Sequence, residues 1–212
     1  MYTLYFSPGA ANVAPHAALE EIGAPYQLVR VDFAKRDHHA ADYLKLNPHA
    51  RVPTLVDGDF VLYESAAILM HLADKHPSAG LAPVLGTVER ARYYQWLCYL
   101  TSTVQDAFMQ YFHPDYFADA EATRAEVKAI SERRVAEMWQ RVDEALTPGP
   151  YLLGSTFSGA DLFLAMLVRW SRLCAKPGYT YPAIGRCVEL VRRRPAFERM
   201  MQAEGITWPT TV

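Results

Sequence analysis

The chain has 212 residues, 51% of them apolar and 21% charged, with a formal charge of −2. That length is enough to bury a core in one large domain or two modest ones. The charge gives no basic field for nucleic acid, and no apolar run approaches the ~20 residues of a membrane span. The opening Met1-Tyr2-Thr3-Leu4-Tyr5-Phe6 reads as a strand, without the charged and apolar regions of a signal peptide. Cys98, Cys174 and Cys187 are far apart and set in helical patterns. A cytoplasmic location is therefore expected, with all three thiols reduced and buried. His38-His39 beside Asp37 and Asp42 has no further ligands at metal-site spacing and reads as a solvated face, so no metal is expected.

Residues 3–6 form the first apolar and aromatic strand, and Ser7-Pro8-Gly9 turns the chain. Asn12 can cap a helix that runs to Ile22 before Gly23. Residues 26–31 alternate like a strand, and residues 40–46 make a short helix ended by Asn47-Pro48. Residues 54–56 and 60–63 flank Asp57-Gly58-Asp59, a hairpin turn, and residues 64–75 are helical. The order predicts an α/β domain whose mixed sheet of about four strands has a crossover first and a hairpin last. Residues 77–87, rich in proline and glycine, read as a linker between a domain over 1–76 and an all-helical domain over 88–212. The helical domain opens with long patterns over 88–112 and 120–146. Ser158-Gly159-Ala160-Asp161 then forms a capping box, and Pro182 and Pro195 each open a later helix.

One stretch points to a ligand. In Arg51-Val52-Pro53-Thr54-Leu55-Val56 the proline has no N–H to give a sheet, which leaves the backbone of Val52 free for an extended partner. Eleven residues later, Glu64-Ser65 opens an amphipathic helix whose first N–H groups are unpaired and attract anions. A free strand edge so close to an anion-receiving helix end suits a small peptide with a free carboxylate.

These motifs, with Tyr5-Phe6-Ser7-Pro8-Gly9-Ala10, Ala14-Pro15-His16, Asn47-Pro48, Tyr151-Leu152-Leu153-Gly154 and the capping box, resemble the cytosolic glutathione transferase family along the whole chain. The nearest likeness is to its bacterial beta class. The resemblance implies a thioredoxin-like N-terminal domain, a helical C-terminal bundle, a cis bond at Val52-Pro53 and a homodimer. It also implies glutathione as co-substrate, a hydrophobic electrophile as the second substrate, a role in detoxification, and no covalently bound cofactor. On this likeness Val52 and Pro53 pair with the cysteinyl unit, and Ser65 takes the γ-glutamyl carboxylate. Glu64 takes the γ-glutamyl ammonium, and Arg51 with Lys35 or Arg36 meets the glycyl carboxylate. Plain helix capping is the alternative for Glu64-Ser65, and a solvated charge is the alternative for Lys35 and Arg36.

The chain departs from the beta-class pattern at the chemical centre. Ala11 stands where that class has a cysteine, and Gln105 stands where it has a histidine. The reacting thiol is then glutathione's own, ordinarily near pKa 8.5, and each unit of depression needs about 1.4 kcal/mol of thiolate stabilisation. Asn12 is the first candidate to supply it through its side-chain amide, and a helix-capping role for its oxygen is the alternative. Tyr5 is the second candidate, with a place in the core as its alternative. Asp106 is a candidate to reach the partner subunit's γ-glutamyl ammonium. Phe108, Tyr111 and Trp170 are the candidates to line the electrophile pocket, although aromatics at helical spacing are usually core. Two rival activities stay open, a glutathione-dependent disulfide reductase or peroxidase and a non-catalytic ligand-binding protein of the same fold.

Overall fold

A computed structural model describes residues 1–209. The chain forms two compact units, one of residues 1–82 with 192–208, the other centred on residues 83–191.

In the first unit the sheet runs β2-β1-β3-β4. β1 (Tyr2–Phe6) pairs parallel with β2 (Tyr26–Arg30), and β3 (Thr54–Asp57) pairs antiparallel with both β1 and β4 (Phe60–Tyr63). Parallel pairing of β1 and β2 requires a crossover, which α1 (Val13–Ile22) supplies. The two-residue turn between β3 and β4 uses Gly58 at φ +62°, a conformation most side chains avoid. Strand alternation buries Tyr2, Leu4 and Phe6, while Tyr5 turns to the opposite face. The short helix α2 (Ala41–Leu46) and the helix α3 (Ser65–Lys75) complete the unit's first 82 residues.

The helix α9 (Pro195–Glu204) belongs to this first unit, whereas the sequence reading assigned all of 88–212 to the helical domain. Side-chain chemistry explains the difference. Arg194 grips Glu21 with two hydrogen bonds of 2.5 and 2.9 Å, and Arg199 binds Glu20 at 2.6 Å. Phe197 and Met200 are fully buried, as is the side chain of Glu204.

The second unit is helical. α4 (Val88–Tyr99) is capped by Thr87, whose hydroxyl accepts from Arg90 N–H. Leu100–Gln105 is one π-helical stretch, after which α5 (Asp106–Phe112) resumes the regular period. The sequence reads as one uninterrupted helix there. The irregularity comes from Thr101-Ser102-Thr103, a run of poor helix formers in which Ser102 Oγ donates back to Cys98 O at 2.7 Å. α6 (Glu121–Leu146) buries Val135, Met138, Trp139, Val142 and Leu146 along one stripe. α7 (Gly159–Trp170) is buried almost all round, so it forms the centre of this unit. Its N-terminus shows the expected capping box, and α8 (Pro182–Arg192) follows.

The cysteine expectation needs a correction. Cys174 and Cys187 are buried, but Cys98 is exposed on the outer face of α4. Burial pushes the Cys174 thiol up to about 11, and burial beside Asp161 pushes Cys187 up as well. Thiolate is the reactive form. A thiol reagent at pH 8 is therefore expected to label one cysteine in the native protein and all three after denaturation. Rapid labelling of two or more in the native state would contradict the burial.

Candidate functional site

The first unit brings the N-terminal candidates together at the ends of β1 and β3. The Val52-Pro53 bond is cis, and both residues are buried. The loop before it is clamped. Tyr43 Oη–H and Asn47 Nδ2–H both donate to Arg51 O, at 2.5 and 2.9 Å, and both side chains also reach Thr54 Oγ1. Burial pushes the Tyr43 hydroxyl up, so it stays a donor. Between these fixed points the N–H and C=O of Val52 bond to no group among the described residues. The loop therefore presents one rigid, unpaired stretch of strand-like backbone, the geometry that accepts an added strand.

Next to this edge, Glu64 has φ +72°, a strained conformation for a residue with a Cβ. It is exposed and hands the chain into α3, whose first N–H groups have no intrahelical acceptor. Ser65 is buried, and its hydroxyl donates to Ala11 O at 2.7 Å. That bond ties the start of α3 to the loop before α1. Lys35, Arg36 and Arg51 are all exposed, and Arg36 sits at φ +62° in the β2–α2 connection.

The structure does not show Asn12 in the capping role weighed from the sequence, and it gives the side-chain amide a partner within the protein. It is fully buried and makes no side-chain cap to α1. Its Oδ1 accepts from Ser7 N–H at 3.0 Å, and its Nδ2 donates to Glu204 Oε1 at 2.8 Å. Glu204 also accepts from Gly9 N–H through Oε2 and bonds His16 Nδ1, both at 2.8 Å. The N–H groups of Ala11 and Asn12 themselves meet no acceptor among the described residues. Tyr5 is half-buried and packs with Ala10 against the cluster of Val31, Tyr43 and Val52, its ring 5.6 Å from that of Tyr43. It thus lies on the face of the sheet that carries the cis-proline loop. Sequence reasoning missed Glu204 and His16 as partners of the loop. The separation of Asn12 and Glu204 by 192 positions leaves no local pattern to find.

Gln105 is half-buried, and its Oε1 has no hydrogen-bond partner among the described residues. Asp106 is exposed and accepts from Gln110 Nε2 at 3.0 Å. Phe108 is fully buried among Phe112, Trp139 and Trp170, with ring centroids 5.9 to 6.1 Å away. Tyr111 is buried too, and its hydroxyl donates to Leu173 O at 2.8 Å. Trp170 and Phe112 are the members of this cluster with surface to offer.

A thioredoxin-like sheet with an unpaired backbone edge beside a cis-proline and a helix N-terminus, in a chain that also carries a helical bundle, is suited to an extended ligand with a free carboxylate. The comparisons with known proteins agree. The model for the glutathione S-transferase N-terminal domain matches residues 1–74, and that for the C-terminal domain matches residues 120–201. Glutathione S-transferase GstA of Escherichia coli O157:H7 is 30% identical over 205 residues, covering 96% of this chain and 98% of that one. The solved structure of a glutathione transferase homologue from Sulfitobacter, with bound glutathione, superposes with a TM-score of 0.90. It is 33% identical and covers 98% of this chain and 99% of that one. A bacterial beta-class enzyme of Sphingomonas chungbukensis gives 0.85 at 34% identity, covering 97% of this chain and 100% of that one. The chain belongs to the glutathione S-transferase family.

Proposed function

We propose that this enzyme binds glutathione along the Val52 edge, holds its thiol as thiolate and adds it to a hydrophobic electrophile. The observation that carries the reading is the clamped, unpaired backbone of Val52 beside the open N-terminus of α3. The cysteinyl unit pairs with Val52 next to Pro53. The γ-glutamyl carboxylate takes the N–H groups at Ser65, where aligned peptide dipoles favour an anion. Glu64 receives the ammonium from its strained position, and Arg51 with Lys35 and Arg36 supplies cations for the glycyl carboxylate.

The sulfur is then received at the N-terminus of α1, by the unpaired N–H groups of Ala11 and Asn12 and by the Tyr5 hydroxyl. Each unit of pKa depression needs about 1.4 kcal/mol, within reach of one or two charge-assisted hydrogen bonds. Asp106, exposed on α5, is assigned to the glutathione of a partner subunit. Within the helical unit Trp170 supplies apolar surface suited to an electrophile, and Phe108 packs against it. Exposed Phe60 at the start of β4 and exposed Val84, Leu85 and Val88 around the start of α4 support a homodimer. Conjugation of apolar electrophiles in a cytoplasmic detoxification role is the physiological setting proposed.

The test combines calorimetric titration with glutathione and thiolate absorbance across pH on the same complex. Binding with a depressed thiol pKa is expected. Absence of binding would remove the transferase reading and leave a ligand-binding scaffold. Tyr5→Phe is expected to raise the bound-thiol pKa by about half a unit to one unit, with glutathione affinity changed less than threefold. An unchanged titration would leave the thiolate to backbone N–H groups alone.

A further inference from the structure

The part of the site on the first unit draws on residues 5–65, but the loop proposed to face the sulfur is anchored from the far end of that unit. Glu204, in the last turn of α9, places a fully buried carboxylate against this loop. One oxygen takes Gly9 N–H, and the other takes Asn12 Nδ2–H and bonds His16 Nδ1. His16 Nε2 bonds the Tyr26 hydroxyl at 2.9 Å, Tyr26 donates its proton to Glu20, and Glu20 is held by Arg199 of α9. The network therefore begins and ends on α9 and encloses the first two turns of α1. A buried carboxylate with this many donors is costly to leave half-satisfied, so its contacts fix the geometry of the groups that donate to it.

Two of those groups sit on either side of the open N–H groups. Gly9 lies in the turn at φ +72°, and Asn12 is the residue from which α1 departs. Ala11 lies between them, its carbonyl fixed by Ser65. We propose that Glu204 is a positioning residue for the thiolate. It sets the Gly9–Asn12 loop so that the loop N–H groups face the sulfur, and the Asn12 side chain serves the reaction through Glu204 without touching the sulfur. This rests on the thiolate reading given above.

The sign of the effect separates positioning from charge. A carboxylate that acts only as a nearby negative charge raises a thiol pKa, and its neutralisation lowers it. A carboxylate that orients donors has the opposite consequence. Thiolate absorbance of bound glutathione is the readout, with calorimetry on the same samples. Glu204→Gln keeps one oxygen but turns an N–H₂ toward groups that are themselves donors. It is expected to raise the thiol pKa by about one unit, a tenfold loss of thiolate near neutral pH, with glutathione affinity changed less than threefold. Glu204→Asp keeps the charge but withdraws the oxygens by one methylene, and it is expected to raise the pKa as well. It decides the matter if the Gln variant does not fold. Glu21→Gln is the control, since it cuts the Arg194 bond between α1 and α9 away from the loop. It is expected to lower the unfolding temperature and leave the thiol pKa in place. An unchanged or lowered pKa in both Glu204 variants overturns the proposal. So does an equal rise in Glu21→Gln, because Glu204 would then be only a tether. Wild-type protein that binds no glutathione would instead refute the thiolate reading, and this inference with it.

Discussion

Asp161→Ala is expected to be the most damaging single change in this chain, lowering stability by about 3–5 kcal/mol, the range for removal of one partner from a buried charged network. Asp161 is fully buried at the start of α7 and accepts from Leu152 N–H and Ser158 N–H, both at 2.8 Å, and from Ser158 Oγ at 3.1 Å. Alanine would strand those donors in the centre of the helical unit. At roughly 2–4 °C per kcal/mol for a chain of this size, the unfolding temperature should fall by on the order of 10 °C. Ser158→Ala removes the cap and one of the carboxylate's donors but leaves both N–H partners, and should cost about 1 kcal/mol. Equal losses in the two variants would show that the cap, and not the buried carboxylate, organises the turn.

The same residue gives a pH signature. Burial pushes the Asp161 carboxyl up to about 6, against the lowering effect of its N–H partners. In the unfolded chain an aspartate titrates near pKa 3.9. Between these values the native state holds the proton that the unfolded state releases, so native stability falls as pH rises from about 4 to about 6 and then levels. Thermal scans across that window should lose this slope in Asp161→Asn.

The second large effect falls on ligand binding. Ser65→Ala is expected to weaken glutathione by about 10- to 100-fold, since a hydrogen bond to a charged group is worth about 1.5–3 kcal/mol. The hydroxyl has two uses. It donates to Ala11 O, and it sits among the N–H groups proposed to receive the γ-glutamyl carboxylate. Alanine keeps the helix and its N–H groups, so circular dichroism should be unchanged. Calorimetry that finds less than a threefold loss would assign the carboxylate to backbone N–H groups alone.

Much of the fold was legible because its signals are local. The Asp57-Gly58 turn, the proline at 53, the alternation of Tyr2, Leu4 and Phe6 and the capping box at 158–161 each act within a few residues, and all appear in the structure. The unpaired backbone of Val52 and the helix start at Ser65 were legible for the same reason, since they lie in one short stretch. Asn12 was not. Its amide suggested a donor to the ligand or a helix cap, and what decides otherwise is a carboxylate from residue 204, whose burial depends on tertiary packing. Cys98 was expected to be buried because an apolar residue in a helical pattern usually is, but its place on the face of α4 exposes it. The π-helical stretch at Leu100–Gln105 is equally silent in sequence. Its extra residue per turn shifts which side chains share a face, and a regular helical count from Tyr94 to Tyr111 cannot follow that shift.

The return of α9 to the first unit has a consequence for biosynthesis. The sheet and its three helices are complete by residue 82, yet the Asn12 side-chain amide and His16 Nδ1 lack the carboxylate that they bond in the finished fold until Glu204 has been made. A nascent chain that has emerged only this far holds a sheet with an unfilled polar seam beside α1. The intervening 109 residues of the helical unit must be synthesised before the seam closes. Domains usually mature in the order in which they leave the ribosome. Of the two units, the one that emerges before the helical unit is finished after it.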